Sequence, residues 1–200
     1  MSTDKRSTGR PRSFDSEKAL AAAMRVFWRR GYEGASVADL TRAMKINRPS
    51  LYAAFGDKEE LFRKALARYS RGPMAYMSEA LKQPTARAVA EHLLAGTCDV
   101  LSDPQNPRGC LAVQGALACG ASSASVRNLL IGYRQKAGNL LRERLITAKS
   151  EGDLPAGAYP ADLARYLITV IRGLAVDAAT GASREELSRV AETAMRAWPR

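Results

Sequence analysis

The stretch from Ser36 to Leu61, SVADLTRAMKINRPSLYAAFGDKEEL, decides the fold of this chain. Ser36 with Asp39 three residues later is a capping-box-like helix start, and Val37, Leu40 and Met44 then face inward. Lys45-Ile46-Asn47 is a tight break. Asn47 caps a second helix, and Pro49 is tolerated in its first turn because the amides there lack intrahelical partners. Gly56-Asp57 ends that helix, and the next one opens at Asp57 with Leu61, Phe62, Ala65, Leu66 and Tyr69 on one face. Two short helices joined by a three- or four-residue turn fit a helix-turn-helix. In such a unit, side chains in the first turn of the second helix reach base edges, while helix N-termini and flanking cations hold phosphates.

Upstream, Leu20, Ala23, Met24 and Phe27 recur at helical spacing. Asp15 is the expected N-cap of this helix and Gly31 its left-handed stop, with Phe14 packing on Ala19 ahead of the cap. Downstream the same grammar predicts helices near 74–82, 85–101, 110–120, 123–149, 160–180 and 184–197. Pro84, the Asp103–Pro107 run, Gly152 to Pro160 and Gly181-Ala182 mark the breaks. Nothing alternates with period two for long enough to make a strand. The fold class is all-α.

Charge is unevenly placed. Residues 1–72 hold 16 Lys+Arg against 8 Asp+Glu, an excess of +8, while the other 128 residues contribute only +3 of the total +11. A basic first third suits contact with nucleic acid. No apolar run reaches the roughly 18–20 residues of a membrane span, and the polar start Met1-Ser2-Thr3-Asp4-Lys5-Arg6 lacks a secretory h-region, so a cytoplasmic protein without membrane contact is expected. Three cysteines without CxxC spacing and a single histidine, His92, argue against a disulfide framework or a metal site. No nucleophile–base pair, phosphate loop or metal cluster is present, so neither an enzyme nor a cofactor is expected.

Gly9-Arg10-Pro11-Arg12, Phe14, Val26-Phe27, Gly31-Tyr32, Ser36 to Leu40 and the Leu51-Tyr52-x-x-Phe55-x-x-Lys58-x-x-Leu61 signature follow one another in order. Over residues 9–66 the chain resembles the tetracycline-repressor (TetR) family of bacterial transcriptional regulators. That resemblance implies an N-terminal three-helix DNA-binding domain with a helix-turn-helix, followed by a larger helical ligand-binding and dimerisation domain. The expected divisions are a mobile basic arm at 1–12, the DNA-binding domain at 13–56, a connecting helix at 57–72 and the second domain at 73–200.

The resemblance also implies the following site roles, carried over position by position. Ser36 offers its hydroxyl or amide to a phosphate; Arg48 and Ser50 read bases or nearby backbone, and Pro49 touches a thymine methyl. Tyr52 gives its phenol to a phosphate, Lys58 clamps another, and Arg10 and Arg12 follow the minor groove. Asn47 and Lys45 complete the set at the turn. Lys45 stands where the family usually has glycine; positive φ there costs on the order of 1 kcal/mol, which a cation beside DNA offsets on binding.

For the second half the resemblance implies a four-helix bundle across a two-fold axis, built by the last two helices. Leu163, Leu167, Val170 and Leu174 on one helix and Leu187, Val190, Ala194 and Trp198 on the next are candidate interface residues, and equally candidate core. Gln114, Tyr133, Arg172 and Asp177 are candidates for orienting an unidentified small-molecule effector. Cys110 follows Pro107-Arg108-Gly109 at an expected helix start. A helix N-terminus and a neighbouring arginine favour thiolate there, making it the expected reactive cysteine, whereas Cys98 and Cys119 lie on apolar faces.

The leading function is a ligand-responsive regulator, a repressor, that binds an inverted-repeat operator as a homodimer and is released by a small molecule. A cysteine-based redox or electrophile sensor and a non-specific architectural DNA binder are the alternatives.

Overall fold

A computed structural model describes residues 14–117 and 123–199, and among these there are ten helices and no strand. The first four build a head: α1 (Ser16–Gly34), α2 (Val37–Met44), α3 (Arg48–Phe55) and α4 (Lys58–Arg71). Each starts on a side-chain cap that satisfies amides left without intrahelical partners. Asp15 accepts from Glu17 and Lys18, Asn47 from Ser50 at 2.8 Å, and Asp57 from Glu60 at 2.8 Å. Ser36 and Asp39 form a reciprocal capping box. Phe27, Trp28, Leu40, Leu51, Leu61 and Phe62 are fully buried between these helices, and Phe27 and Phe62 meet edge to face at 5.0 Å. Phe14 closes the head from below, its ring 6.2 Å from that of Phe55.

The body follows as α5 (Ala75–Ala80), α6 (Ala86–Ser102), α7 (Leu111–Leu117), α8 (Ala124–Ser150), α9 (Pro160–Thr180) and α10 (Arg184–Arg196). Its core gathers Val89, Leu93 and Leu94 of α6 with Leu141 and Leu145 of α8, Leu167 and Leu174 of α9, and Leu187 of α10. Gly96 is required where α5 crosses α6: a Cβ there would stand 2.5 Å from the Tyr76 ring.

The structure bears on three expectations. Gly31 has φ 69° but ψ −179°, outside the left-handed helical well; the chain kinks there and adds a turn to Gly34. This turn brings Tyr32 back over the head, where its ring lies 6.2 Å from Phe27 and 5.4 Å from Phe62. Secondly, of the two readings left open for the apolar stripes, Leu167, Leu174, Leu187, Ala194 and Trp198 take the core one, buried within the chain's own helices. The apolar stripes of α9 and α10 turn toward α6 and α8, leaving Leu163 and Val170 half-buried and Val190 45% exposed. Thirdly, four residues from beyond position 73, Leu111, Ala112, Val126 and Leu130, pack into the core of the head. Arg10, Arg12 and Cys119 lie outside the described residues.

Candidate functional site

Helix α3 presents its first turn to solvent. Arg48 and Pro49 are exposed and Tyr52 is 47% exposed, while Leu51 and Phe55 anchor the opposite face in the core. The first turn of α3 contains no acidic residue, whereas α4 opens on Lys58 followed by Glu59 and Glu60. A cation at a helix N-terminus opposes the helix dipole, so the start of α3 with Arg48 and no acid is unfavourable until an anion arrives. Neither Lys45 nor Arg48 makes an ion pair among the described residues. Such a face is prepared for phosphate.

The turn between α2 and α3 is tightly closed. Lys45 adopts φ 55°, ψ 42°, the one positive φ outside glycine among the described residues. Its amide donates to the Arg42 carbonyl, and the Ile46 amide to the Thr41 carbonyl at 3.1 Å. This backbone places the Lys45 side chain in solvent beside α3.

Lys58 is half-buried, with Nζ 4.4 Å above the Tyr32 ring. Burial pushes its ammonium below the ordinary lysine value, and the Glu33 carboxylate counteracts this. The aromatic face holds the cation at one place on the head. Lys64 donates to the Phe55 carbonyl at 2.9 Å and so finishes α3.

Ser36 stands differently from its expected role. Its hydroxyl donates to Asp39 Oδ2 at 2.7 Å and its amide to the same oxygen at 3.3 Å. Asp39 is further bound by Arg30 at 2.6 Å, and the Ser36 hydroxyl, the largest influence, holds its carboxyl below the usual range. Both Ser36 donors are therefore committed to the cap. Asn47 and Ser50 are likewise joined to each other as cap and capped amide, so they shape α3 and leave Arg48, Pro49 and Tyr52 to project.

The effector candidates do not form one cavity. A cavity of about 300 Å³ opens between the end of α4, α5, α6 and α8. It is lined by Tyr133 together with Ser70, Met74, Met77, Lys136 and Leu141, and none of Cys110, Gln114, Arg172 or Asp177 borders it. Tyr133 is hydrogen-bonded to Ser70, and burial raises its phenol. Cys110 is half-buried outside this cavity, and the Tyr69 hydroxyl donates to its Sγ at 3.3 Å. Burial, reinforced by Cys110, keeps the Tyr69 phenol well above its ordinary value, so it remains a donor. Cys98 is buried, and its thiol is pushed up by that burial. Gln114 donates weakly to the Arg108 carbonyl at 3.5 Å, Asp177 is exposed on α9, and Arg172 lies in a separate groove between α8 and α9. Met74 and Met77 were missing from the candidates; their i, i+3 spacing on the short α5 was the available signal.

Among the described residues no group of His, Cys, Asp and Glu is arranged to hold a metal ion, and no helix is long and apolar enough to cross a membrane.

Both the head and the body are similar to known proteins. Residues 19–65 match the family model described as bacterial regulatory proteins, tetR family, and residues 87–194 match a tetracyclin repressor-like C-terminal domain. The chain is 32% identical to the HTH-type transcriptional repressor ComR of Escherichia coli K12 over 206 aligned positions, spanning 100% of this chain and 98% of that protein. It is 29% identical to the HTH-type transcriptional repressor BdcR of the same organism, over 93% of this chain and 90% of that one. Among solved structures, a cysteine-substituted form of the TetR family transcriptional regulator CifR, complexed with 26-bp double-strand operator DNA, superposes with a TM-score of 0.91. The identity is 46%, covering 96% of this chain and 100% of that one.

Proposed function

The chain belongs to the TetR family of bacterial regulatory proteins, and from that premise we propose that it represses transcription by binding an inverted-repeat operator as a homodimer. The observation that carries this is the exposed first turn of α3, where Arg48, Pro49 and Tyr52 project from a helix start with cations and no acid. Arg48 reads a base edge, Pro49 meets a thymine methyl, and Tyr52, Lys45 and Lys58 position the helix on phosphates. Ser36, Asn47 and Ser50 set the backbone that aims them. One α3 per chain gives too few base contacts for tight selective binding, so two copies hold their α3 helices about one DNA turn, ~34–36 Å, apart. The outer faces of α9 and α10, where Val170 and Val190 stand beside Tyr166, are the paired surfaces.

The cavity between α4, α5, α6 and α8 suits the effector. Ser70 sits on the last turn of α4 and Tyr133 on α8, so a molecule between them biases how the head sits on the body. A second reading rests on the Tyr69 to Cys110 hydrogen bond, which orders a half-buried thiol where head and body meet. Modification of Cys110 would break that contact and act on the same joint.

Selection of bound fragments from genomic DNA tests the operator reading. It is expected to return one inverted repeat bound by a dimer. Uniform recovery of all fragments would favour a non-specific architectural protein instead.

A further inference from the structure

Helices α8 and α9 form an antiparallel hairpin whose outer groove, about 460 Å³, is lined by four arginines. Arg134 and Arg142 are eight residues apart on α8, and Arg165 and Arg172 are seven apart on α9. At ~1.5 Å rise per residue each pair shares one helix face and spans about 10–12 Å. Chain reversal sets Arg134 opposite Arg172, close enough that each guanidinium repels the other. Burial, and then Arg134, disfavour the charge on Arg172.

No carboxylate borders the groove among the described residues. Arg142 reaches Glu143 at 3.0 Å on the outer side of α8, but Arg134, Arg165 and Arg172 make no ion pair among the described residues. Asn139 and Thr169 lie in the same groove and add neutral hydrogen-bonding groups. Four like charges facing a concave space, with neutral polar groups beside them, leave an unmet demand for negative charge. Guanidinium forks suit phosphate and carboxylate oxygens in particular.

We propose that this groove binds a small polyvalent anion, a phosphorylated or polycarboxylate molecule about 10 Å long. Nucleic acid is the poorer occupant. Arg134 lies nine residues, about 14 Å, along α8 from Ser125, which touches Glu59 of α4, so the groove is set back from the α3 face. The proposal stands apart from operator binding, since none of its residues belongs to the head.

The test is calorimetric titration of the full chain with inorganic tripolyphosphate, with citrate, and with sodium chloride at matched ionic strength. Because the head is also basic, three proteins are compared: wild type, Arg134→Gln/Arg172→Gln, and Arg48→Ala. Tripolyphosphate or citrate is expected to bind wild type and Arg48→Ala alike, and to bind the double variant at least tenfold more weakly. Which anion binds decides between phosphate and carboxylate. Light scattering on the same samples is expected to give one oligomeric state for all three. Binding no better than chloride would overturn the proposal, as would equal binding by the double variant or a loss confined to Arg48→Ala. Dissociation of the double variant would assign the groove to contact between copies and overturn it too. Operator affinity, measured alongside, is expected to be unchanged in the double variant without anion.

Discussion

The indole Nε1 of Trp28 donates to the Gly109 carbonyl oxygen at 2.9 Å, a buried hydrogen bond joining α1 to the segment just before Cys110. Tyr69 stands edge-on to the same indole at 4.7 Å and gives its hydroxyl to Cys110 Sγ. Gly109 itself needs φ +80°. Trp28, Tyr69, Gly109 and Cys110 thus form one connected patch between the helices that meet DNA and those that form the body. A head tied in this way moves only if that patch rearranges.

Trp28→Phe keeps an aromatic ring but orphans the Gly109 carbonyl. A buried acceptor left unpaired costs about 1–3 kcal/mol. Urea denaturation followed by circular dichroism is expected to show a loss of that size. An unchanged midpoint would mean that water or another donor already serves Gly109.

Lys45→Gly separates stability from DNA affinity. Left-handed backbone costs a non-glycine residue roughly 1–2 kcal/mol, partly offset by the greater entropy glycine loses on folding, about 0.5–1 kcal/mol. A net gain of about 0.5–1 kcal/mol in stability is therefore expected. If Lys45 contacts a phosphate, the same change lowers the salt-dependence slope of DNA binding by about 1. A slope identical to wild type would remove Lys45 from the interface.

Val190→Glu and Leu187→Ala are expected to behave oppositely, although the residues are three apart on α10. Val190 is 45% exposed and Leu187 1% exposed. A carboxylate at 190 should give monomers by light scattering with the fold retained. Truncation at 187 leaves a cavity, should cost about 2–5 kcal/mol, and should leave a dimer. Dimers from Val190→Glu would move the paired surface elsewhere.

Cys110 is tested with N-ethylmaleimide. The adduct cannot accept the Tyr69 hydroxyl as the thiol does and adds bulk where Tyr69 and Trp28 meet. Operator affinity is expected to fall at least tenfold in treated wild type and to be unaffected in treated Cys110→Ser. Equal affinity before and after treatment would remove the sensing reading, and a loss that persists in Cys110→Ser would transfer it to Cys98 or Cys119.

The head was legible because its determinants are local. Asp15, Ser36, Asn47 and Asp57 each cap a helix within three residues of themselves, so short-range chemistry predicts all four starts. The turn at Lys45 was legible for the same reason, and its positive φ is observed. The body was legible only as helices. Periodicity marks Leu167, Leu174 and Leu187 as apolar faces but carries no information about whether α6, α8 or another copy covers them. The cavity at Ser70, Met77 and Tyr133 draws residues from helices distant in sequence, and the groove at Arg134 and Arg172 needs α8 and α9 to fold back on each other in one register. Their existence depends on how those helices pair. The double use of Ser36 donors by Asp39 was hidden as well, since a capping residue and a phosphate ligand present the same sequence.

Sequence-selective reading by α3 is tested most directly by the relative affinities of a selected operator and its single-base-pair variants, measured for wild type and for Arg48→Ala at one salt concentration. Arg48 is expected to supply about 1–3 kcal/mol of discrimination at one position in each half-site. In Arg48→Ala the preference at that position should collapse while the ranking of the other variants persists. An unchanged ranking at every position, with affinity merely lowered throughout, would contradict a base-reading role for Arg48.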